Sequence, residues 1–234
     1  MTLSNQQKTL RKLGDPVIAE HASRFFKTGK GEYGEGDQFL GIRVPVLRKH
    51  AKTFRHLSME KTEQLLQSDF HEERLCALFI LVQKYNDGDT SERQQIFELY
   101  LRNTRHINGW DLVDSSAHHI IGRHLLESNK DLLYSLAESE SLWERRIAII
   151  STYRFIRQLQ FSDTINISRL LLNDREDLIH KAVGWMLREV GNRDPAVEEA
   201  FLQTCYKTMP RTMLRYAIEK FPQEKRKRYL KGLV

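Results

Sequence analysis

Glycine and proline are scarce in this chain, with 12 and 5 copies among 234 residues. Together they fill about 7% of positions, against ~12% in average usage. A sandwich or barrel needs a turn every ~8–12 residues, so the shortage argues against those all-β architectures. Cysteine is rarer still. Cys76 and Cys205 stand far apart and outside any CxxC pattern, which excludes a disulfide framework and a zinc ribbon and points to a reducing, cytoplasmic setting. No apolar run approaches the ~18 residues of a membrane span, and the polar stretch Met1–Asp15 lacks the apolar centre of a signal peptide. GxSxG and HExxH are both missing, and the one Gly-rich stretch, Gly29–Gly41, follows no strand. It reads as a loop between helices, not as a nucleotide-binding fingerprint. The adjacent His118 and His119 are predicted to face different directions on a helix, without metal-ligand spacing.

What remains is ordinary globular material: 40% of residues are hydrophobic and 29% charged, enough for a packed core. The net charge is +6, and all of it lies at one end. Residues 211–234 hold eight basic side chains against Glu219 and Glu224, while residues 1–210 balance at 29 of each sign. A basic terminal segment on a neutral body suits a polyanion, because each neutralised phosphate releases counterions; a solubilising tail is the alternative.

Periodicity is helical almost throughout. Leu75, Leu78, Phe79 and Val82 predict one apolar stripe, as do Ile147, Ile150 and Phe155, and Leu170, Leu171 and Leu178 continue the pattern around a turn. Asp15-Pro16 and Asp194-Pro195 place a capping carboxylate before a proline in the first helical position. Ser91 and Gln94 have capping-box spacing. Helices of similar character are predicted to begin near His71, Trp110, Leu142 and Ile179, roughly 35 residues apart, the period of two-helix repeats. The prediction is an all-α, HEAT-like superhelical solenoid of antiparallel helix pairs, in a single domain over residues 1–234, with a concave basic groove. An irregular helical bundle is the competing architecture.

Four places hold residues that packing alone does not require. Trp110 and Asp114 lie four apart at a predicted helix start, on the face opposite Leu112, Val113, Ala117 and Ile120. Asp114 would alternatively be a first-turn acid favoured by the helix dipole. Arg145 and Arg146 sit in an otherwise apolar helix and need a carboxylate or a phosphate. Lys181, Trp185 and Arg188 share a face, and Gly184 among them costs helix stability unless a backbone approaches there. Arg211 and Arg215 form a basic i,i+4 pair. Aromatics interleaved with Lys and Arg on successive repeats suggest a nucleic-acid groove.

These segments resemble the AlkD-type DNA alkylation repair family. The resemblance is carried by Trp110-x-x-x-Asp114, Trp143-Glu-Arg-Arg146-Ile-Ala-Ile, Lys181-Ala-Val-Gly-Trp185-x-Leu-Arg-Glu and Arg211-Thr-x-Leu-Arg-Tyr-Ala-Ile-Glu. Phe39-Leu-Gly-Ile-Arg43-Val-Pro-x-x-Arg48 resembles the family's N-terminal signature. The resemblance implies a monomeric N-glycosylase that releases N3- and N7-alkylated purines from double-stranded DNA, without metal or cofactor. It implies Asp114 as the catalytic carboxylate, Trp110 and Trp185 as aromatics lining the lesion, and Arg146 as the arginine of the same cleft. Arg43, Arg48, Lys181, Arg188, Arg211 and Arg215 are the implied DNA-binding cations. The alternatives are a non-catalytic DNA-structure binder of the same superfamily and a protein-interaction scaffold.

Overall fold

The computed structural model describes residues 3–234, with side chains from residue 5 onward. Met1 and Thr2, part of the polar N-terminal stretch, lie outside the described residues. The described chain is helical without a strand; one isolated bridge pairs Gln38 with Phe70. None of its helices is long and apolar enough to cross a membrane. It divides into two compact units, the first ending at Ser116 and the second running from Ala117 to Val234.

The first unit contains α1 (Leu3–Arg11), α2 (Pro16–Phe25), α3 (Val44–Thr53), α4 (Met59–Leu66), α5 (His71–Asp87), α6 (Thr90–Arg102) and α7 (Trp110–Asp114). At its centre is α5, which packs against α3, α4, α6 and α7. The sequence pattern predicts a stripe here, but Leu75 through Leu81 are buried on every side. A helix surrounded by other helices has no solvent face to keep polar, so an apolar run replaces the stripe. Each such leucine or isoleucine stabilises the fold by about 1.5–3 kcal/mol relative to exposure.

The helix starts follow local chemistry. Asp15 accepts from the amides of Val17 (2.9 Å) and Ile18 (3.3 Å), with Pro16 in the first turn. The capping box of α6 belongs to Asp89 and Glu92, two residues before the Ser91–Gln94 pair that the spacing suggests. Carboxylates at both positions accept more strongly than the serine and glutamine would.

Four charged residues, His71 to Arg74, open α5 and are all buried. Glu72 and Glu73 each fasten other segments to it. The Glu72 carboxylate accepts from the amides of Leu40 (2.8 Å), Gly41 (2.7 Å) and Ile42 (3.1 Å). Glu73 accepts from Arg11, Gln7 and Ser68. Charge-assisted bonds to backbone N–H groups satisfy a loop that would otherwise bury orphan donors. Gly41 adopts φ +80°, and a Cβ there would lie 2.0 Å from the Asp15 carbonyl oxygen, so only glycine fits.

The second unit contains α8 (Ala117–His124), α9 (Asp131–Ala137), α10 (Leu142–Ser151), α11 (Tyr153–Ile156), α12 (Ser162–Leu170), α13 (Asp177–Gly191), α14 (Pro195–Cys205), α15 (Arg211–Ala217) and α16 (Gln223–Lys231). Helices pack mainly on near neighbours in the chain: α10 on α8, α9 and α13, and α13 on α14 and α15. That is the local packing rule of a helical solenoid. Asp194 caps α14 through the amides of Ala196 and Val197. Leu171 is buried as the pattern predicts, but Leu170, the last residue of α12, is exposed.

Gly184 answers the question that its sequence position raises. A Cβ there would lie 2.4 Å from the Met213 carbonyl oxygen and 2.5 Å from Tyr216 Cβ. The approaching backbone is that of α15, and the missing side chain lets it seat against α13.

Candidate functional site

Trp110 opens α7 and Asp114 closes it; both are half-buried, while Leu112 and Val113 between them are fully buried. Because α7 ends at Asp114, its first-turn acid is Asp111. Asp114 sits at the carbonyl end, where the helix dipole disfavours a negative charge. The first-turn reading of Asp114 is therefore corrected.

The Trp110 indole stacks on Phe26 (centroids 5.2 Å apart, planes at 17°), and Phe26 stacks on Phe39 (5.0 Å, 22°). Phe39 in turn stacks on the His71 imidazole (4.6 Å, 22°). Phe25, exposed at the end of α2, meets Trp110 edge-on at 6.0 Å. Beneath the rings, His71 Nδ1 lies 2.7 Å from Asp37 and Nε2 lies 2.9 Å from Asp111. Burial alone would lower the His71 pKa, but hydrogen bonds to Asp111 and Asp37 win and raise it to about 9. Asp37 also feels burial, which would raise its pKa; the bonds from His71 and the Arg74 guanidinium at 2.8 Å hold it below the usual carboxylate range. His71, Asp37, Asp111, Arg74 and Phe26 escape motif reasoning. Their one signal is the charged quartet His71–Arg74 running directly into an apolar helix.

Of the implied DNA-binding cations in this unit, Arg43 is exposed at the N-cap of α3, and Arg48 lays its guanidinium 4.2 Å from the centre of the Phe79 ring.

In the second unit Arg145 and Arg146 separate in role. Arg145 pairs with Asp174 at 2.6 Å and donates to the carbonyls of Ser139 and Glu140, a structural tie. Arg146 is buried and donates to the Leu178 carbonyl at 2.5 Å, so α10 and the first turn of α13 meet there. Further along α13, Lys181 pairs with Asp177 (2.8 Å), Trp185 Nε1 donates to Glu189 (3.3 Å), and Arg188 pairs with Glu219. Tyr153 lies 6.2 Å from Trp185 and meets His118 edge-on at 5.2 Å. His118 and His119, predicted to face different directions, are in contact, their ring centres 3.9 Å apart. Burial first, then the proximity of His119, Arg157 and Arg154, pushes the His118 pKa down to about 3, so it stays neutral. Arg211 and Arg215 are exposed on α15. The basic segment beyond them is docked: Lys225 pairs with Glu199 at 2.6 Å and Tyr229 is buried.

A profile of the family described as DNA alkylation repair enzyme matches residues 6–221. The chain belongs to that family. Among solved structures, a predicted DNA alkylation repair enzyme from Enterococcus faecalis superposes with a TM-score of 0.69 at 17% identity. The match covers 90% of this chain and 97% of that one. At that identity the likeness shows a common fold. No curated protein is similar enough to match. Family membership supports a role in the repair of alkylated DNA, with DNA as the partner.

Proposed function

We propose that the protein is a DNA N-glycosylase, which hydrolyses the bond between deoxyribose and an N3- or N7-alkylated purine in duplex DNA. The observation that supports this most directly is the placement of Asp114. A half-buried carboxylate stands at the carbonyl end of α7, one turn from the indole of Trp110, so that a fixed negative charge and an aromatic face lie on the same short helix.

Alkylation at N3 or N7 makes the base cationic and a good leaving group. The glycosidic bond breaks toward the base, which departs with the bonding electrons and becomes neutral, while positive charge grows on C1′ and the ring oxygen. The Asp114 carboxylate stabilises that charge, orients the attacking water and accepts its proton as the new C1′–O bond forms. The faces of Trp110 and Trp185 attract the cationic sugar and base. Arg146, buried and held by the Leu178 carbonyl, is the arginine beside the lesion and contributes positive charge there. Arg43, Arg48, Lys181, Arg188, Arg211 and Arg215 hold the backbone of the duplex. The pairs that Lys181 and Arg188 make with Asp177 and Glu219 exchange for phosphate on binding. The protein acts as a monomer in the cytoplasm and needs no metal or cofactor for this reaction.

The test is release of free 7-methylguanine from methylated duplex DNA, by the parent and by Asp114→Asn. The parent releases the base. The variant folds, binds methylated duplex as well as the parent, and loses about 10²–10³ in single-turnover rate, the usual worth of a group aimed at developing charge. A parent that binds duplex but releases nothing is a DNA-structure binder instead. A variant with the parental rate removes Asp114 from the mechanism.

A further inference from the structure

His71 has two hydrogen-bonding nitrogens, and each faces a carboxylate: Asp37 at 2.7 Å and Asp111 at 2.9 Å. A neutral imidazole has one N–H donor and one lone pair, so it would turn that lone pair on one of the two acids. Only the imidazolium satisfies both. The clamp is enclosed: His71 is 2% exposed, and Arg74 closes the far side by donating to the second oxygen of Asp37.

The clamp is connected to Trp110 by three contacts. Asp111 is the residue after Trp110 in the first turn of α7. Gly109, the N-cap before it, lies so close to the imidazole that a Cβ there would sit 3.0 Å from His71 Cε1. Phe26, on which the indole stacks, lies 5.0 Å from the imidazole and also stacks on Phe39, whose other neighbour is His71. Residues before and after Trp110 and the ring beneath it therefore all rest on one side chain.

We propose that His71 is a positioning residue: clamped as a cation between Asp37 and Asp111, it fixes the first turn of α7 and the ring cluster that together aim the Trp110 indole. The groups facing it are Asp37 from the loop after α2, Asp111 and Gly109 at the start of α7, and the uncharged rings of Phe26 and Phe39. Arg74 acts through Asp37. Loss of the His71 proton turns a lone pair toward one acid, frees that end of the clamp and loosens the indole. Burial works against the proton and the two acids retain it, to a pKa of about 9.

The spectroscopic arm uses the full chain with Trp143→Phe and Trp185→Phe, which leaves Trp110 as the sole tryptophan. Its emission and anisotropy are followed from pH 7 to 10.5, alone and with His71→Gln or Asp111→Asn added. Asp111→Asn is the milder change and keeps an acceptor, should the glutamine variant fail to fold. Trp110 titrates with a midpoint near pH 9 in the parent background. The titration disappears in His71→Gln and moves to lower pH in Asp111→Asn, and Trp110 anisotropy at pH 7 is lower in both. The kinetic arm keeps all three tryptophans and rests on the glycosylase reading. There, each variant lowers kcat for base release about 10–100-fold, as expected when a reacting contact is misplaced, with KM changed less than twofold.

Unchanged Trp110 anisotropy in a folded variant, or a parental high-pH titration that survives His71→Gln, overturns the proposal. A parent that releases no base defeats the glycosylase reading, and the spectroscopic arm then decides the role of His71 by itself.

Discussion

Replacing Glu198 by glutamine removes a carboxyl group that the second unit buries at a cost. Glu198 is 2% exposed on α14, its Oε1 has no hydrogen-bond partner, and its Oε2 fills the space beside Gly191. Burial raises its pKa to about 8; Lys225 and Arg188 pull it down and Glu199 pushes it up, with burial the largest influence. The folded protein therefore holds a proton that the unfolded chain, with an ordinary value of 4.5, has released. A group whose folded pKa is raised stabilises the fold most at low pH and loses that contribution as pH rises. The loss here runs from about pH 4.5 to pH 8. At ~1.36 kcal/mol per pH unit, it reaches about 3 kcal/mol by pH 7. Glutamine has the same size and never ionises. Glu198→Gln is therefore expected to match the parent near pH 4.5 and to exceed it by about 1–3 kcal/mol at pH 7, the lower figure allowing for an amide that finds no better partners. For a chain of this length that is roughly 3–10 °C in melting temperature. Denaturant titrations of both proteins at half-unit steps between pH 4.5 and 8.5 measure it. Parallel curves for parent and variant across that range would show that Glu198 does not carry its proton into the fold.

Two further outcomes follow from surface charge and from close packing. Changing both Arg211 and Arg215 to Glu weakens binding to any duplex, alkylated or not, and makes the salt slope shallower, because phosphate contacts carry no sequence or lesion information; unchanged affinity at low salt would assign those arginines to solubility. Gly184→Ala places a methyl 2.4 Å from the Met213 carbonyl oxygen, so α15 must move away from α13; a loss of about 1–3 kcal/mol is expected from overpacking, and a melt at or above the parental temperature would contradict the close approach.

The helical fold was readable because its signals are local. Asp15-Pro16 and Asp194-Pro195 cap their helices through amides two and three residues on, which needs no knowledge of the rest of the molecule. The same holds for the low glycine and proline content and for helix starts near His71, Trp110 and Leu142. Trp110, Asp114, Arg146 and Trp185 stand out in the chain by residue type and spacing, but the interactions of such residues do not. Arg145 and Arg146 look equivalent in the chain; one is spent on Asp174 and the other reaches across to Leu178.

By itself, then, the sequence determined where helices begin, which stretches are apolar, where the positive charge gathers and which family motifs occur, since each depends on neighbours within a turn or two. Only the tertiary structure decided which charges are buried and what they do there. His71 meets Asp37 and Asp111 across 34 and 40 residues of chain, and Glu72 meets Leu40 across 32. It likewise decided that Gly184 makes room for α15. Desolvation and long-range hydrogen bonding depend on which segments fold against one another, and no short window of sequence contains both partners.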